Sequence, residues 1–237
     1  MKLMHYNVCF ESEQTELLEE IIAREDPDIL TFNEIDIKKI IVLQNKFIPF
    51  FSMKNGKDYG NAIAIKPGTV HIIMPHCTSF SSPVLELETS DYILYLTHLT
   101  RKSEEKRLDE IEAILKLEKE EDKDFMIVGD LNSLSPYDNY NLKKIEKEYR
   151  RFGKPVKQLV IPRLKDYGLV DLMYIHKTNK PTAPTRNGSL DKRTPIRVDY
   201  VFATDRLTAK VRNSYVVKNE ITERCSDHYP IVVDFHL

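Results

Sequence analysis

The sequence contains no tryptophan, only three cysteines, and no apolar run long enough to cross a membrane. A membrane-spanning helix needs about 18 or more apolar residues in succession, so the sequence predicts none. The cysteines, Cys9, Cys77 and Cys225, are odd in number and lie far apart. Disulfide frameworks use paired cysteines and structural zinc sites use closely spaced ones. We therefore expect reduced thiols in a cytoplasmic protein.

A strong charge of one sign is also absent. The chain has 35 basic and 37 acidic residues, which gives a formal net charge of -2. Such a chain has no general field that attracts polyanions, which argues against a protein that grips long nucleic acids by many phosphate contacts. The first residues lack the apolar core and cleavage site of a secretion signal. We expect no membrane anchor and no obligate protein partner.

The 237 residues, of which 41% are hydrophobic, are sufficient for a substantial core. Because linkers, low-complexity stretches and repeats are lacking, we expect one domain spanning residues 1–237. Amphipathic spacing predicts helices at Thr15–Arg24 and Ser103–Lys119. Short apolar runs bounded by turn residues predict the strands Lys2–Phe10, Asp28–Phe32, Asn61–Ile65, Val70–Met74, Val84–Glu88, Tyr92–Thr97, Phe125–Val128, Arg197–Ala203 and Ile231–Phe235.

Polar side chains stand at the ends of several predicted strands. Asn7, Glu34 and His98 each follow an apolar run, and Asp130 and Asn132 follow the strand that ends at Val128. Taken singly, each has an ordinary explanation: a turn residue, a solvated strand end, a core histidine or an Asx turn. The functional alternative is a site on a rigid rim, with oxygen ligands for Mg²⁺ and acid or base groups.

Two later segments add charge at unusual places. Asp199 lies among apolar neighbours, so it needs a cationic partner such as a histidine, or Arg197 beside it. Asp227 and His228 are adjacent, just before the last predicted strand. They are either part of a polar loop or a metal ligand followed by an electrostatic catalyst.

Taken in order, these motifs resemble those of the endonuclease/exonuclease/phosphatase superfamily. The matching segments are Tyr6-Asn7-Val8, Asn33-Glu34, Thr97-His98-Leu99, Gly129-Asp130-x-Asn132, Arg197-x-Asp199-Tyr200 and Ser226-Asp227-His228-Tyr229-Pro230. They extend from residue 6 to residue 230, and Arg107 also resembles a family residue in the helix after His98. Asn33 departs from the glutamine of many members, which puts a minor contact near the metal in doubt.

The resemblance implies a fold and a set of roles. The fold is an α/β (α+β) four-layer arrangement, DNase I-like, in which a two-sheet β-sandwich is flanked by helices. The cofactor is Mg²⁺ or Mn²⁺. The implied metal residues are Glu34, Asp227 and Asn7. The implied catalytic residues are Asp130, Asn132, His98, His228, Asp199 and Asn7. Asp130 orients or deprotonates water, and Asn132 donates to the phosphate. His98 and His228 contact phosphoryl oxygens, and Asp199 holds His228.

Substrate preference is less determined by the sequence. Basic clusters occur at Arg150–Lys157 and within the loop Thr182–Pro195, where a solvated surface is the simpler explanation. We take Arg186, Arg193 and Arg101 as candidate substrate-binding residues, and nearby tyrosines as candidate stacking surfaces. The first hypothesis is a phosphodiesterase or nuclease-like enzyme acting on a phosphate ester, with nucleic acid or a nucleotide as the candidate substrate. The alternatives are a hydrolase of small-molecule or lipid head-group phosphates, and a catalytically silent binding module.

Overall fold

A computed structural model describes residues 1–54, 56–68, 72–76, 82–117, 123–187 and 192–236. Within them, the strands are β1 (Lys2–Asn7), β2 (Ile29–Asp36), β3 (Ile48–Met53), β4 (Tyr59–Ile65), β5 (Ile72–His76), β6 (Val84–Glu88), β7 (Tyr92–His98), β8 (Asp124–Asp130), β9 (Val170–Asp171), β10 (Asp199–Ala203), β11 (Val211–Val216) and β12 (Ile231–Phe235). The helices are α1 (Thr15–Glu25), α2 (Ile37–Leu43), α3 (Glu104–Leu115), α4 (Leu142–Glu148), α5 (Val160–Asp166), α6 (Leu172–Ile175), α7 (Asp205–Thr208) and α8 (Thr222–Cys225), with a 3-10 turn at Arg150–Phe152.

The strands form two sheets of six. The first sheet has the order β11-β12-β1-β2-β4-β3, and the second has the order β5-β6-β7-β8-β10-β9. Each sheet contains one parallel pair, β1 with β2 and β7 with β8, and every other pairing is antiparallel. Because parallel neighbours end at the same edge, the polar residues that close these strands are brought together there.

Most residues of the central strands are buried, because both faces of these strands are covered. In β1, Leu3 contributes to the cluster between the sheets, and Met4 contributes to the cluster under the outer helices. The side chains of α1 and α2 cover the first sheet, and those of α3 and α5 cover the second. The resulting order of helices, sheet, sheet and helices confirms the predicted four-layer fold.

Most predicted elements occur within a few residues of their expected limits. The prediction did not include α2, β3 and β11, whose exposed or aromatic-rich segments lack a clear period, nor β9 and the four-residue helices α6, α7 and α8. Residues 70–71 of a predicted strand and residues 118–119 of the second predicted helix lie outside the described residues. So does Cys77, whereas Cys9 and Cys225 are free thiols. Among the described helices, none is long and apolar enough to cross a membrane.

Candidate active site

Asp130 is the centre of a polar cluster at one edge of the sandwich. It ends β8, and its register neighbours are His98 on β7 and Asp199 on β10. Its Oδ2 accepts a hydrogen bond from Asn7 Nδ2 at 3.1 Å. The same oxygen lies 3.6 Å from Nε2 of His98 and 3.9 Å from Nε2 of His228. The two sheets thus contribute jointly to one site.

A close approach of two strands brings His98 and Asp130 into register. Gly129 has a φ of +148°, and a Cβ built there would lie 1.8 Å from the carbonyl oxygen of Thr97. Only glycine allows this backbone angle and this contact together. The Gly129-Asp130 pair therefore fixes the spacing of β7 and β8 at the site.

Asp199 and His228 form a buried hydrogen-bonded pair. His228 Nδ1 lies 2.8 Å from Asp199 Oδ2, and both side chains are almost fully buried. Burial alone would lower the pKa of His228, but the Asp199 carboxylate outweighs it and raises that pKa to about 10. Burial likewise opposes ionisation of Asp199, yet His228 holds its pKa below the usual range. The pair is therefore an imidazolium and a carboxylate at neutral pH.

His5 contacts the second oxygen of the same carboxylate. Its Nε2 lies 3.5 Å from Asp199 Oδ1, and its Nδ1 lies 3.1 Å from Thr31 Oγ1. Sequence reasoning missed this residue. The signal was present, because His5 shares a strand face with Asn7, two residues later, in an otherwise apolar strand.

The pKa of His98 is shifted in the opposite direction to that of His228. Burial lowers its pKa, and the nearby carboxylates of Asp130 and Glu34 offset this only in part. Its Nε2 lies 3.8 Å from Glu34 Oε1. The site therefore pairs a neutral histidine with a cationic one on either side of Asp130.

Glu34 is directed into the site by a β-bulge. The register between β2 and β4 shifts between Phe32 and Ile35, and Glu34 has a φ of +55°. A bulge turns a side chain away from the regular alternation of a strand. Within the described residues, the 3.8 Å approach of His98 is the nearest polar contact of this carboxylate. Its oxygens are thus available to a ligand.

Asp227 lines the same cavity as Glu34, and the charges of both act on Cys9. Burial raises the pKa of the Cys9 thiol to about 12, and the charges of Asp227 and Glu34 add to that rise. Asn7 Oδ1 accepts from the backbone N–H of Cys9 at 3.2 Å, which leaves a second lone pair. Hard oxygen donors without a thiolate favour Mg²⁺ or Mn²⁺, so these three residues fit such an ion.

Asn132 connects the ends of β7 and β8. Its backbone N–H donates to Asp130 Oδ1 at 2.8 Å, and its Nδ2 donates to the carbonyl of Leu99 at 3.0 Å. The residue is fully buried with a φ of +48°, and its Oδ1 has no hydrogen-bond partner among the described residues. The unpaired Oδ1 can accept a hydrogen bond, and Nδ2 retains one further N–H to donate beside Asp130.

Asn33 makes structural hydrogen bonds that the sequence does not indicate. It is fully buried, and its Oδ1 accepts the backbone N–H of Asp130 at 2.8 Å. Its Nδ2 donates to Asn61 Oδ1 at 2.9 Å, and Asn61 in turn donates to the carbonyl of Pro83 at 2.7 Å. This chain of hydrogen bonds joins the two sheets directly behind the site.

A cavity with an empty volume of about 440 Å³ covers the cluster. Its lining residues are Asn7, Glu34, Arg101, Asp130, Tyr149, Arg151, Ala183, Pro184, Ile196, Asp227 and His228.

The three candidate substrate-binding arginines have different surroundings. Arg101 lines the cavity with an exposed side chain. Arg193 lies over Tyr149, 5.3 Å from the ring centroid, and only the tyrosine reaches the lining. The side chain of Arg186 is 84% exposed and approaches Glu223 at 4.0 Å. Arg151, from the basic cluster Arg150–Lys157, lines the cavity together with Arg101.

Arg197 does not pair with Asp199. It is buried between Asp138, which it binds through two nitrogens at 2.9 and 3.1 Å, and Asp171, which it binds at 2.6 Å. The hydroxyl of Tyr140 accepts the backbone N–H of Arg197. Arg197 therefore stabilises the loop under the site, and His228 is left as the partner of Asp199.

Asp130, Asp199 and His228 also offer ligand atoms that lie within 4.8 Å of one another. Such a group can hold a cation when its histidine is neutral. Burial lowers the pKa of His228, but the charge of Asp199 outweighs this effect and raises the pKa to about 10. A protonated imidazole has no lone pair to offer. Glu34, Asp227 and Asn7, which line the same cavity, offer oxygen atoms to a cation instead.

Comparison with known proteins relates this geometry to a family. The chain is similar to an AP endonuclease from Archaeoglobus fulgidus, with a TM-score of 0.73, 20% identity and complete coverage of both chains. It is similar to the 3′ phosphatase NExo from Neisseria, solved with a product DNA hairpin, with a TM-score of 0.73, 19% identity and complete coverage of both chains. It is also similar to a humanized TDP2 from D. rerio, with a TM-score of 0.68 and 16% identity over 100% of this chain and 99% of the other. No curated protein matches the sequence. The model of the "Endonuclease/Exonuclease/phosphatase family" matches residues 4–228, and the chain therefore belongs to that family.

Proposed function

We propose that this chain is a divalent-metal-dependent phosphoric ester hydrolase that uses water as the nucleophile. The observation that carries the proposal is the buried Asp199–His228 pair, set 3.9 Å from Asp130 over a cavity that Glu34 also lines. A fixed cation, a carboxylate and free oxygen ligands around one small space are the elements that phosphoester hydrolysis requires. A silent binding module would not need all three.

Glu34, Asp227 and Asn7 would hold the divalent ion. When bound there, the ion supplies positive charge against the oxygens of the phosphoryl group. The Glu34 carboxylate would bind it without breaking another strong contact, since its nearest polar neighbour is His98 at 3.8 Å. The strained backbone at Glu34 is consistent with such pre-organisation.

Asp130 is the proposed acceptor of the proton of the attacking water. Its Oδ1 is held by the Asn132 backbone N–H and its Oδ2 by Asn7, and each oxygen keeps a lone pair. The carboxylate is thus oriented by two donors but is not saturated. Water held there loses a proton to Asp130 as its oxygen bonds to phosphorus, and the ester oxygen departs.

His228, His98 and Asn132 are the proposed donors to the phosphoryl oxygens. The cationic His228 opposes the negative charge that grows in the transition state, and Asp199 fixes its orientation through Nδ1. His98 is neutral and donates one hydrogen bond through Nε2 when the proton resides there. The asymmetry between the two histidines suits a reaction that needs one charge and one neutral donor.

The substrate class that fits best is a modest nucleotide-containing phosphate ester. Two structures that are similar to this chain contain product DNA, in one a hairpin and in the other a single strand. The chain has no large excess of basic residues that would favour many contacts along a long nucleic acid. A phosphodiester at or near a nucleic-acid end is the first candidate, and a small-molecule or lipid head-group phosphate is the second.

The test is hydrolysis of a substrate panel with and without Mg²⁺ or Mn²⁺. The panel contains bis-p-nitrophenyl phosphate, p-nitrophenyl phosphate, single- and double-stranded DNA, RNA, a 5′-tyrosyl oligonucleotide and sphingomyelin. Asp130→Asn should abolish turnover, whereas the matched change Asp109→Asn, at a side chain that is 69% exposed, should leave it unchanged. Absence of metal binding and of activity on every substrate would support the silent binding module instead.

A further inference from the structure

Within the described part of the chain, the guanidinium of Arg151 has no hydrogen bond or ion pair. Its Nε is buried without a hydrogen bond, and among the described residues no carboxylate or carbonyl accepts from its side chain. The residue lines the same cavity as Asp130 and His228. It lies in the 3-10 turn that follows α4.

Two aromatic rings and a hydrogen bond hold Arg151 in place. Its guanidinium lies 5.7 Å from the ring centroid of Tyr149 and 5.0 Å from that of Phe152. Its carbonyl accepts from Nη2 of Arg107 at 3.0 Å, and Arg107 is fully buried in an ion pair with Glu104. The side chain is thus ordered before any ligand arrives.

The buried arginines Arg107 and Arg197 do not share this arrangement. Arg107 donates to Glu104, to the carbonyl of Thr100 and to that of Arg151. Arg197 is paired with two carboxylates. An unpaired buried cation is costly, so native proteins seldom retain one without a function. Burial lowers the pKa of Arg151, and Asp130 offsets this only in part, which indicates a guanidinium that lacks an anion.

The number of phosphoryl oxygens indicates which anion it accepts. In the proposed function, which this inference extends, His98 and His228 face the non-bridging oxygens of the reacting phosphate. A phosphodiester has two such oxygens and one charge. A terminal phosphate has a third oxygen and a second charge, for which a further fixed cation is suited because a guanidinium binds phosphate through two parallel N–H groups.

We propose that Arg151, together with the exposed Arg101, binds a phosphate group that carries two negative charges, so that substrates with a terminal phosphate are preferred. That phosphate is either the reacting group itself, as in a monoester, or a terminal phosphate beside a reacting diester. The shared chemistry is a dianionic phosphate within a cavity of about 440 Å³.

The matched variants are Arg151→Gln and Arg150→Gln. Both remove one positive charge from adjacent positions, but Arg150 is exposed and is absent from the cavity lining. Three substrates are compared: p-nitrophenyl phosphate, the 5′-p-nitrophenyl phosphate diester of thymidine, and the same diester with a 3′-phosphate. A charge-assisted contact corresponds to about 10- to 100-fold in kcat/KM.

Arg151→Gln should lower kcat/KM by about that factor on a substrate with a terminal phosphate and by less than about threefold on the plain diester. A loss on the monoester identifies the reacting phosphate as the ligand, and a loss confined to the 3′-phosphorylated diester identifies the neighbouring one. Arg150→Gln should match the wild type on all three. Equal losses on all three substrates would overturn the proposal.

Binding and stability separate this inference from the proposed function. Without added metal, inorganic phosphate should raise the Tm of the wild type and of Arg150→Gln but not of Arg151→Gln. This result would support the subsite even if no substrate were hydrolysed. Arg151→Gln should itself have an unchanged or higher Tm, because it removes an unpaired charge. A lower Tm, or retained protection by phosphate, would show that Arg151 is structural and refute the inference.

Discussion

Replacing Gly129 with alanine should disrupt the active site from within the sheet. The new Cβ would lie 1.8 Å from the carbonyl oxygen of Thr97, whereas real Cβ contacts below 3.0 Å are essentially never seen. The strands β7 and β8 would have to separate by about 1.2 Å at this point. His98 and Asp130, the next residues of these strands, would separate with them.

The expected magnitude has two parts. The left-handed backbone angle alone costs an alanine about 1–2 kcal/mol, and the overlap with backbone adds about 1–3 kcal/mol. A displacement of about 1 Å at a catalytic group lowers turnover by about 10²-fold. Gly129→Ala should therefore lower the free energy of unfolding by about 2–5 kcal/mol, and the folded fraction should be at least about 10²-fold less active.

Gly168→Ala is the matched control. Gly168 also has a positive φ, +100°, but nothing lies within 4 Å of its Cβ position. This variant should show only the smaller, conformational loss of stability and full activity. The assays are urea unfolding and metal-dependent hydrolysis of the best substrate of the panel. Equal stability of the two variants, with wild-type activity in Gly129→Ala, would refute the close-approach argument.

Three further predictions concern charged groups. Asp199→Asn should lower kcat by about 10²–10⁴; a change in KM alone would contradict the orienting role. In the wild type, the charge of Asp199 outweighs burial and raises the pKa of His228 to about 10. The stability that this cation contributes is therefore complete below the ordinary pKa of histidine and is lost as pH rises through about 10. Histidine NMR titration of Asp199→Asn should show the His228 transition at a lower pH than in the wild type. Glu34→Ala should remove Mg²⁺-dependent turnover and Mn²⁺ binding with nearly unchanged unfolding, and activity at saturating Mg²⁺ would contradict its role. Asp138→Asn should lower the free energy of unfolding by about 3–5 kcal/mol, because Arg197 loses a two-nitrogen partner in a buried site; urea denaturation at constant pH measures this.

The four-layer fold was predictable because the ordered motifs resemble one family over nearly the whole chain. The positions of polar residues at the ends of predicted strands also indicate why residues distant in sequence lie close together. Asn7, His98 and Asp130 each close a strand of a parallel pair, and parallel neighbours end at one edge. The pairing of Asp199 followed from the cost of an unpartnered buried carboxylate, although the sequence could not choose between Arg197 and a histidine.

Other features depend on contacts between distant segments and have no local signal. The bulge that turns Glu34 inward depends on the register between β2 and β4. In sequence, Arg151 is one of several basic residues. That its Nε lacks a hydrogen bond among the described residues can be recognised only from the structure around it. Asn33 gave the appearance of a minor substitution, yet its side chain spans the two sheets.

The position of β12 has a consequence for the newly made chain. Residues 231–235 lie between β11 and β1 in the interior of the first sheet, and Asp227 and His228 immediately precede them. The segment that completes the site is thus synthesised after β1 to β11, and it must insert between β11 and β1. Such non-local pairing is slow to form. In a ribosome-bound chain the Asp199–His228 pair therefore cannot form until synthesis has passed His228.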